Sequence, residues 1–192
     1  MSAGIGRAFL AVVPDARALD AIARAVDALT LPDGWRIVSR AQWHVTVQFL
    51  GAVADGPAVA GAVASVVTRH DAFDVALGGG GAFPSARRAG VLWIGARRGE
   101  DALGALAGDL SGALAPLGFA RDEDRFHAHL TVARTRGRDR RDARPLVDAL
   151  EAVADSPPWS VREVVLFESR TRPSGAEYSV VERFPLRVGE GA

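Results

Sequence analysis

His44-Val45-Thr46-Val47-Gln48-Phe49-Leu50-Gly51 organises the chain, because its opening tetrapeptide returns 85 positions later within Phe126-His127-Ala128-His129-Leu130-Thr131-Val132-Ala133-Arg134. Both copies read His-apolar-Thr-apolar on a strand pattern. Side chains alternate across a strand, so each histidine and its threonine project from one face while the valines and leucine pack behind. Histidine and threonine then stand about 7 Å apart along each strand, which leaves room for one phosphate between an imidazole and a hydroxyl from each copy. Displacement at phosphorus needs one group to take a proton and another to give one. Imidazole titrates near neutral pH, so two histidines can divide those roles, and threonine hydroxyls can donate to the non-bridging oxygens.

The same residues admit a second reading. His127 and His129 form a His-x-His pair that could suggest a metal site, but such sites usually take three or more ligands, and no carboxylate is spaced to complete one. No metal is therefore expected, and His127 is read as a neighbour that orients or packs the strand. His70, alone after a helix, is read as a surface residue.

Working outward, strands and helices alternate. Ala8–Val13 reads as a buried strand closed by Pro14, and Asp15–Leu29 as a helix with Asp15 as N-cap. Trp35–Val38 is a short strand and Trp43–Leu50 a clear one; Ala58–Thr68 suits a second helix. Phe73–Leu77 and Val91–Ile94 are strands on either side of Gly78-Gly79-Gly80-Gly81. That tetraglycine lacks the Lys-Ser/Thr and the helix start of a phosphate loop, so a flexible turn is expected there. Glu100–Leu117 is a third helix ended by Gly118, His129–Val132 a strand, and Pro145–Ala154 a fourth helix opened by its proline. Val161–Phe167 and Tyr178–Val181, running on to Phe184, are the final strands. Adjacent strand pairs mixed with helices point to an α+β fold with antiparallel sheets.

Composition narrows the classes of function. The 192 residues fit one large domain or two small lobes sharing a core. Hydrophobic residues at 48% and charged ones at 24% exclude wholesale disorder. The 23 basic and 23 acidic residues balance, which argues against bulk electrostatic binding of nucleic acid and leaves a local basic cleft open. Every basic residue but histidine is arginine. Without lysine there is no Schiff base and no Walker-type lysine, and without cysteine no thiol nucleophile or thiolate metal site. Arg134–Arg144 holds six arginines and two aspartates, either a solvated loop or a patch that holds phosphates. The apolar run before Pro14 is too short for a secretory core, and no stretch approaches a membrane span. A soluble, cytoplasmic protein without membrane partners is expected.

At the two tetrapeptides the chain resembles the bacterial RNA 2′,3′-cyclic phosphodiesterases, long called 2′-5′ RNA ligases, of the two-histidine phosphoesterase superfamily. The resemblance extends to Arg7-Ala8-Phe9-Leu10-Ala11-Val12-Val13-Pro14, Trp43, Phe49-Leu50-Gly51, Phe83-Pro84 and Val91-Leu92-Trp93-Ile94-Gly95. Leu117-Gly118-Phe119, Phe126-His127, Ala133-Arg134, Val165-Leu166-Phe167-Glu168-Ser169 and Tyr178 continue it. Ala128 departs from it, where relatives often have proline. The resemblance implies a single domain over residues 1–192. It would have two pseudo-symmetric lobes, each a small antiparallel sheet backed by helices, with the active-site cleft between them. It makes His44 the proton donor, His129 the proton acceptor, Thr46 and Thr131 phosphate ligands, Arg134 a further phosphate contact and Phe49 a base contact. On a straight strand, parity would turn Arg134 and Phe49 away from their histidines, so each needs a bend or a strand end to reach the cleft.

The activity so implied is metal- and cofactor-free hydrolysis of an RNA 2′,3′-cyclic phosphate end to a 2′-phosphate by a monomer, with reversible 2′-5′ joining as a further capacity. Against it stand a cyclic phosphodiesterase acting on a small nucleotide or an ADP-ribose cyclic phosphate, a nucleotide-binding module without turnover, and a metal-dependent hydrolase using His127 and His129.

Overall fold

The structure is a computed structural model that describes residues 5–119, 126–137, 139–172 and 175–189. Strand β1 (Ile5–Val12) is apolar through its second half and stops before Pro14. Helix α1 (Ala16–Asp27) follows, with the Asp15 carboxylate accepting the Ala18 amide at 2.8 Å as an N-cap. Strands β2 (Trp35–Ile37) and β3 (Val45–Val53) lead to α2 (Gly56–Val67), capped the same way by Asp55, with a proline in its first turn. Strands β4 (Phe73–Phe83) and β5 (Val91–Arg98) precede α3 (Glu100–Leu114), whose first turn carries Glu100 and Asp101 at the positive end of the helix dipole. A short 3-10 turn ends that run at Gly118, where φ is +87°. Strand β6 (His129–Thr135), helix α4 (Arg144–Glu151) and strands β7 (Trp159–Val161), β8 (Glu163–Arg172) and β9 (Gly175–Pro185) complete the chain. Among the described residues, no helix is long and apolar enough to cross a membrane.

The strands form one path in the order β7-β4-β5-β6-β3-β1-β8-β9, with β2 also on β6, and all these pairings are antiparallel. The path is two lobes meeting at a seam. One lobe is β7-β4-β5-β6 with β2, the other β3-β1-β8-β9, and the seam is a single paired position, Val45 opposite Leu130. Helices α2 and α3 pack together over the second lobe, α3 on β3 and α2 on β9, while α4 covers β4. Burial is continuous across the seam, with Val45, Leu130, Val132, Leu10 and Leu166 all at most 1% exposed.

Each seam strand carries a β-bulge at the same place in its motif. In β3 the register against β1 slips between Gln48 and Thr46, leaving Val47 as the extra residue. In β6 the register against β5 slips between Ala133 and Thr131, leaving Val132 as the extra residue. An extra residue reverses the alternation of faces beyond it, and two successive buried residues follow each threonine: Val47 and Gln48, then Val132 and Ala133.

Two expectations are corrected. Gly78–Gly81 is no turn but the middle of β4, paired with β5 across the lobe. Gly79 takes a positive φ of +70°, and Gly80 and Gly81 are there for space. A Cβ on Gly80 would lie 2.5 Å from the Val147 carbonyl oxygen of α4, and one on Gly81 would lie 2.1 Å from the Trp93 ring. His70 is not a free surface residue. Its side chain is 17% exposed, and Nε2 meets the Asp109 carboxylate of α3 at 2.9 Å, which ties the end of α2 to its neighbour.

Two glycine-to-alanine substitutions should therefore act in opposite directions. Gly81→Ala should lower unfolding free energy by about 1–3 kcal/mol through overpacking against Trp93. Gly61→Ala, at an exposed position of α2 with nothing within 4 Å of its Cβ position, should raise it by up to about 1 kcal/mol through helix propensity. Urea unfolding of the two variants beside the parent checks both signs.

Candidate active site

The seam register builds the site. With Val45 opposite Leu130 in an antiparallel pair, one step either way sets His44 against Thr131 and Thr46 against His129. The two apolar residues fill the core beneath, so all four chemical groups emerge on the other face, related by a local twofold axis. They line one cleft of about 640 Å³.

Both imidazoles are anchored in the same way. The Nδ1–H of His44 donates to the Gln42 carbonyl at 2.7 Å, and the Nδ1–H of His129 donates to the His127 carbonyl at 2.7 Å. A carbonyl can only accept, so Nδ1 keeps its proton in each ring and Nε2 is the nitrogen that exchanges one with the cleft. His127 thus serves through its backbone, while its exposed side chain flanks a separate small crevice with Gly78, Arg97 and Glu151.

Aromatic rings wall both imidazoles. His44 stands 4.8 Å from the Phe9 ring and 5.4 Å from Tyr178, with Phe167 stacked 5.2 Å behind Phe9. His129 stands 4.9 Å from Phe83 and 5.9 Å from Trp93, which themselves lie 5.3 Å apart. Burial pushes the His44 imidazole down to about 4, with the charges of His129 and Arg134 adding to it against the opposing pull of the Gln42 carbonyl. Burial also lowers His129, again with Arg134 contributing and the His127 carbonyl opposing. In the free protein at neutral pH both rings are therefore uncharged, each with an Nε2 lone pair towards the cleft.

The bulges decide where Arg134 and Phe49 lie. Each is five residues after its histidine, and the extra residue at Val132 or Val47 returns it to the histidine's face. Both line the cleft, Phe49 with 72% of its surface exposed. Of the described arginines between Arg134 and Arg144, Arg134 alone lines the cleft; Arg141 and Arg144 are paired with Asp139 and Asp142. Arg138 lies outside the described residues.

Sequence reasoning assigns no role to several residues here. The carbonyls of Gln42 and His127 leave no mark in a side-chain pattern. The bulge in β6 does leave one, where the apolar Val132-Ala133 pair breaks the alternation. The aromatic wall falls on residues that the sequence reading places in strands or, for Phe83, in the connection after the glycines, without a role in the site, and Arg7, Arg36, Ser169 and Thr171 join the cleft through pairing between distant strands.

The depressed imidazoles carry a thermodynamic consequence. A histidine whose pKa is lower folded than unfolded stabilises fully above its ordinary value and loses that contribution as pH falls through the folded one. The free protein should therefore lose thermal stability between pH 6.5 and about 4, and inorganic phosphate should restore more of it as pH falls, because the bound anion favours imidazolium. Ring-proton NMR should show both histidines titrating below 6.5 in the free protein and moving upward with phosphate; unmoved titrations would contradict this electrostatic account.

The chain's relatives agree with this architecture. Residues 14–173 match the model of the 2'-5' RNA ligase superfamily. An RNA 2',3'-cyclic phosphodiesterase of Methanothermobacter thermautotrophicus is 31% identical over 184 residues, 94% of this chain and 98% of that protein. The protein of the same name from Escherichia coli is 29% identical over 160 residues, 81% of this chain and 82% of its own. TT0787 of Thermus thermophilus shares the fold with a TM-score of 0.78 at 24% identity, over 95% of this chain and 98% of that one. Escherichia coli LigT complexed with 3'-AMP gives 0.70 at 25% identity with the same coverage of both chains. With a family match across most of its length and a relative above 30% identity over nearly all of it, the chain belongs to the 2'-5' RNA ligase superfamily.

Proposed function

We propose that the chain hydrolyses the 2′,3′-cyclic phosphate at the end of an RNA strand, leaving a 2′-phosphate. The observation that carries this reading is the matched anchoring of His44 and His129: two identical Nδ1 bonds, on two twofold-related strands, present two exchangeable Nε2 atoms with a threonine across from each. A paired acid and base is what displacement at phosphorus requires. The relatives named as RNA 2',3'-cyclic phosphodiesterases supply the substrate class.

In this mechanism His129 Nε2 takes a proton from water as the water oxygen bonds to phosphorus. The P–O3′ bond breaks, and His44 Nε2 gives its proton to O3′. Proton exchange with solvent then resets the pair. The hydroxyls of Thr46 and Thr131 donate to the non-bridging oxygens, Arg134 balances their charge, and Phe49 offers its exposed ring to the base. The cyclic phosphate anion helps load His44, since a negative charge at the site raises an imidazole that burial has lowered. A 5′-hydroxyl in place of water, taken through the same steps by the same groups, would bond to phosphorus as P–O3′ breaks and so form a 2′-5′ linkage. All of this proceeds on the chain's own residues as a monomer, with no metal or cofactor taking part.

A short RNA with a 2′,3′-cyclic end tests the reading directly. The product should carry a 2′-phosphate, and turnover should persist in excess EDTA; loss of activity there would return the metal alternative. His44→Ala or His129→Ala should lower kcat by about 10²–10⁴-fold, and His127→Ala by far less, because its contribution is a carbonyl. Thr46→Val or Thr131→Val should lower turnover by roughly 10–150-fold, the worth of a hydrogen bond to a charged group.

The pH profiles of the two rate parameters should differ. Because kcat/KM reports the free enzyme, its limbs should sit below 6.5, while those of kcat move upward as bound phosphate stabilises imidazolium. Coincident profiles would contradict the loading role given to the substrate.

A further inference from the structure

Arg36 of β2 is paired directly with Arg134 of β6. Residues facing each other across an antiparallel pair project from the same side, with Cβ atoms about 4.5–5.5 Å apart. Once the bulge at Val132 has turned Arg134 to the cleft, Arg36 goes with it, and both line it. Like charges placed this way repel. Among the described residues no carboxylate relieves either one, although the fold pairs arginines readily elsewhere: Arg40 with Asp20, Arg97 with Glu151, Arg187 with Asp71.

Arg36 also reaches across the cleft. Its Nη1 lies 3.7 Å from the place a Cβ would take on Gly175, in the β8–β9 hairpin of the other lobe. The Gln42 side chain holds that hairpin by donating to the Ala176 carbonyl. Two guanidinium forks without a carboxylate partner therefore share one stretch of cleft under a tethered hairpin. A cyclic phosphate diester carries a single charge and already has Thr46, Thr131 and Arg134 in its reach. The second fork is in excess of what the reacting group needs.

We propose that Arg36, beside Arg134, forms an anion subsite for a second phosphate, that of the nucleotide adjoining the reacting end. The cleft then recognises the end of an RNA chain in preference to a free mononucleotide. This rests on the phosphodiesterase reading for the place of the first phosphate. The repulsion between the two guanidiniums is tolerated in the free protein because the bound chain relieves it.

Binding of two product ligands tests the subsite without turnover: an RNA tetranucleotide ending in a 2′-phosphate and the corresponding nucleoside 2′-phosphate. Arg36→Gln should reduce the ratio of their affinities by roughly tenfold, as expected for losing one charged hydrogen-bonding partner. It should also flatten the slope of log affinity against log salt for the tetranucleotide by about 0.7, one phosphate contact on a single strand. Arg36→Lys should keep the slope while losing part of the ratio. Arg36→Gln should unfold no lower than the parent, because it removes a repulsion, whereas a merely structural arginine would lower the transition. An unchanged ratio and slope, or an equal loss for both ligands, would overturn the subsite. Failure of the parent protein to open a cyclic-ended RNA would instead sink the phosphodiesterase reading, and the affinity ratio would still judge Arg36.

Discussion

The antiparallel pairing of Val45 with Leu130 is the constraint on which the site depends. It makes the two motifs meet head to tail, so that each histidine faces the other strand's threonine and not its own counterpart. A parallel pairing would set histidine beside histidine and threonine beside threonine, with no hydroxyl across from either imidazole. A slip of one residue would turn the histidine and threonine of one strand into the core and its apolar residue into the cleft. The register is held by burial: neither Val45 nor Leu130 exposes any surface.

Above that seam, the site is tuned by what surrounds the imidazoles. Phe9, Tyr178, Phe83 and Trp93 remove water from the rings, which makes a charged histidine unfavourable until an anion arrives. The backbone carbonyls of Gln42 and His127 work against that trend while fixing which nitrogen faces the cleft. Gly81 serves the same end, since its lack of a side chain leaves the space in which Trp93 lies against His129.

Much of this is legible in the sequence, for a physical reason. The repeated His-x-Thr-x pattern carries strand parity, and parity alone puts the histidine and threonine of each copy on one face. The Asp15 cap is local as well, and so is the Asp55 cap, which a second helix read from Ala58 misses by starting two residues late. What the sequence hides depends on partners far along the chain. The glycines resemble a turn because composition does not show whether a second strand lies alongside, and here β5 does. His70 resembles a surface residue because Asp109 is 39 positions away. Arg36 sits in a three-residue strand with no motif around it, and only the β2–β6 pairing brings it opposite Arg134. Parity itself turns Phe49 and Arg134 outward, and each requires a residue that pairing leaves over.

The paired bulges also bear on how such a cleft can diversify. They hold the fifth position after each histidine on the working face, at places related by the twofold axis, yet outside the seam that fixes the two histidines and the two threonines. One of these positions is an exposed phenyl ring and the other a guanidinium, so a nearly symmetric engine has an apolar handle on one side and a cationic one on the other. The inner groups impose no preferred direction on a ligand; the outer two do. Exchanging side chains at these two sites would thus change which way a ligand lies, or which ligand lies there, while the tetrapeptides stay as they are.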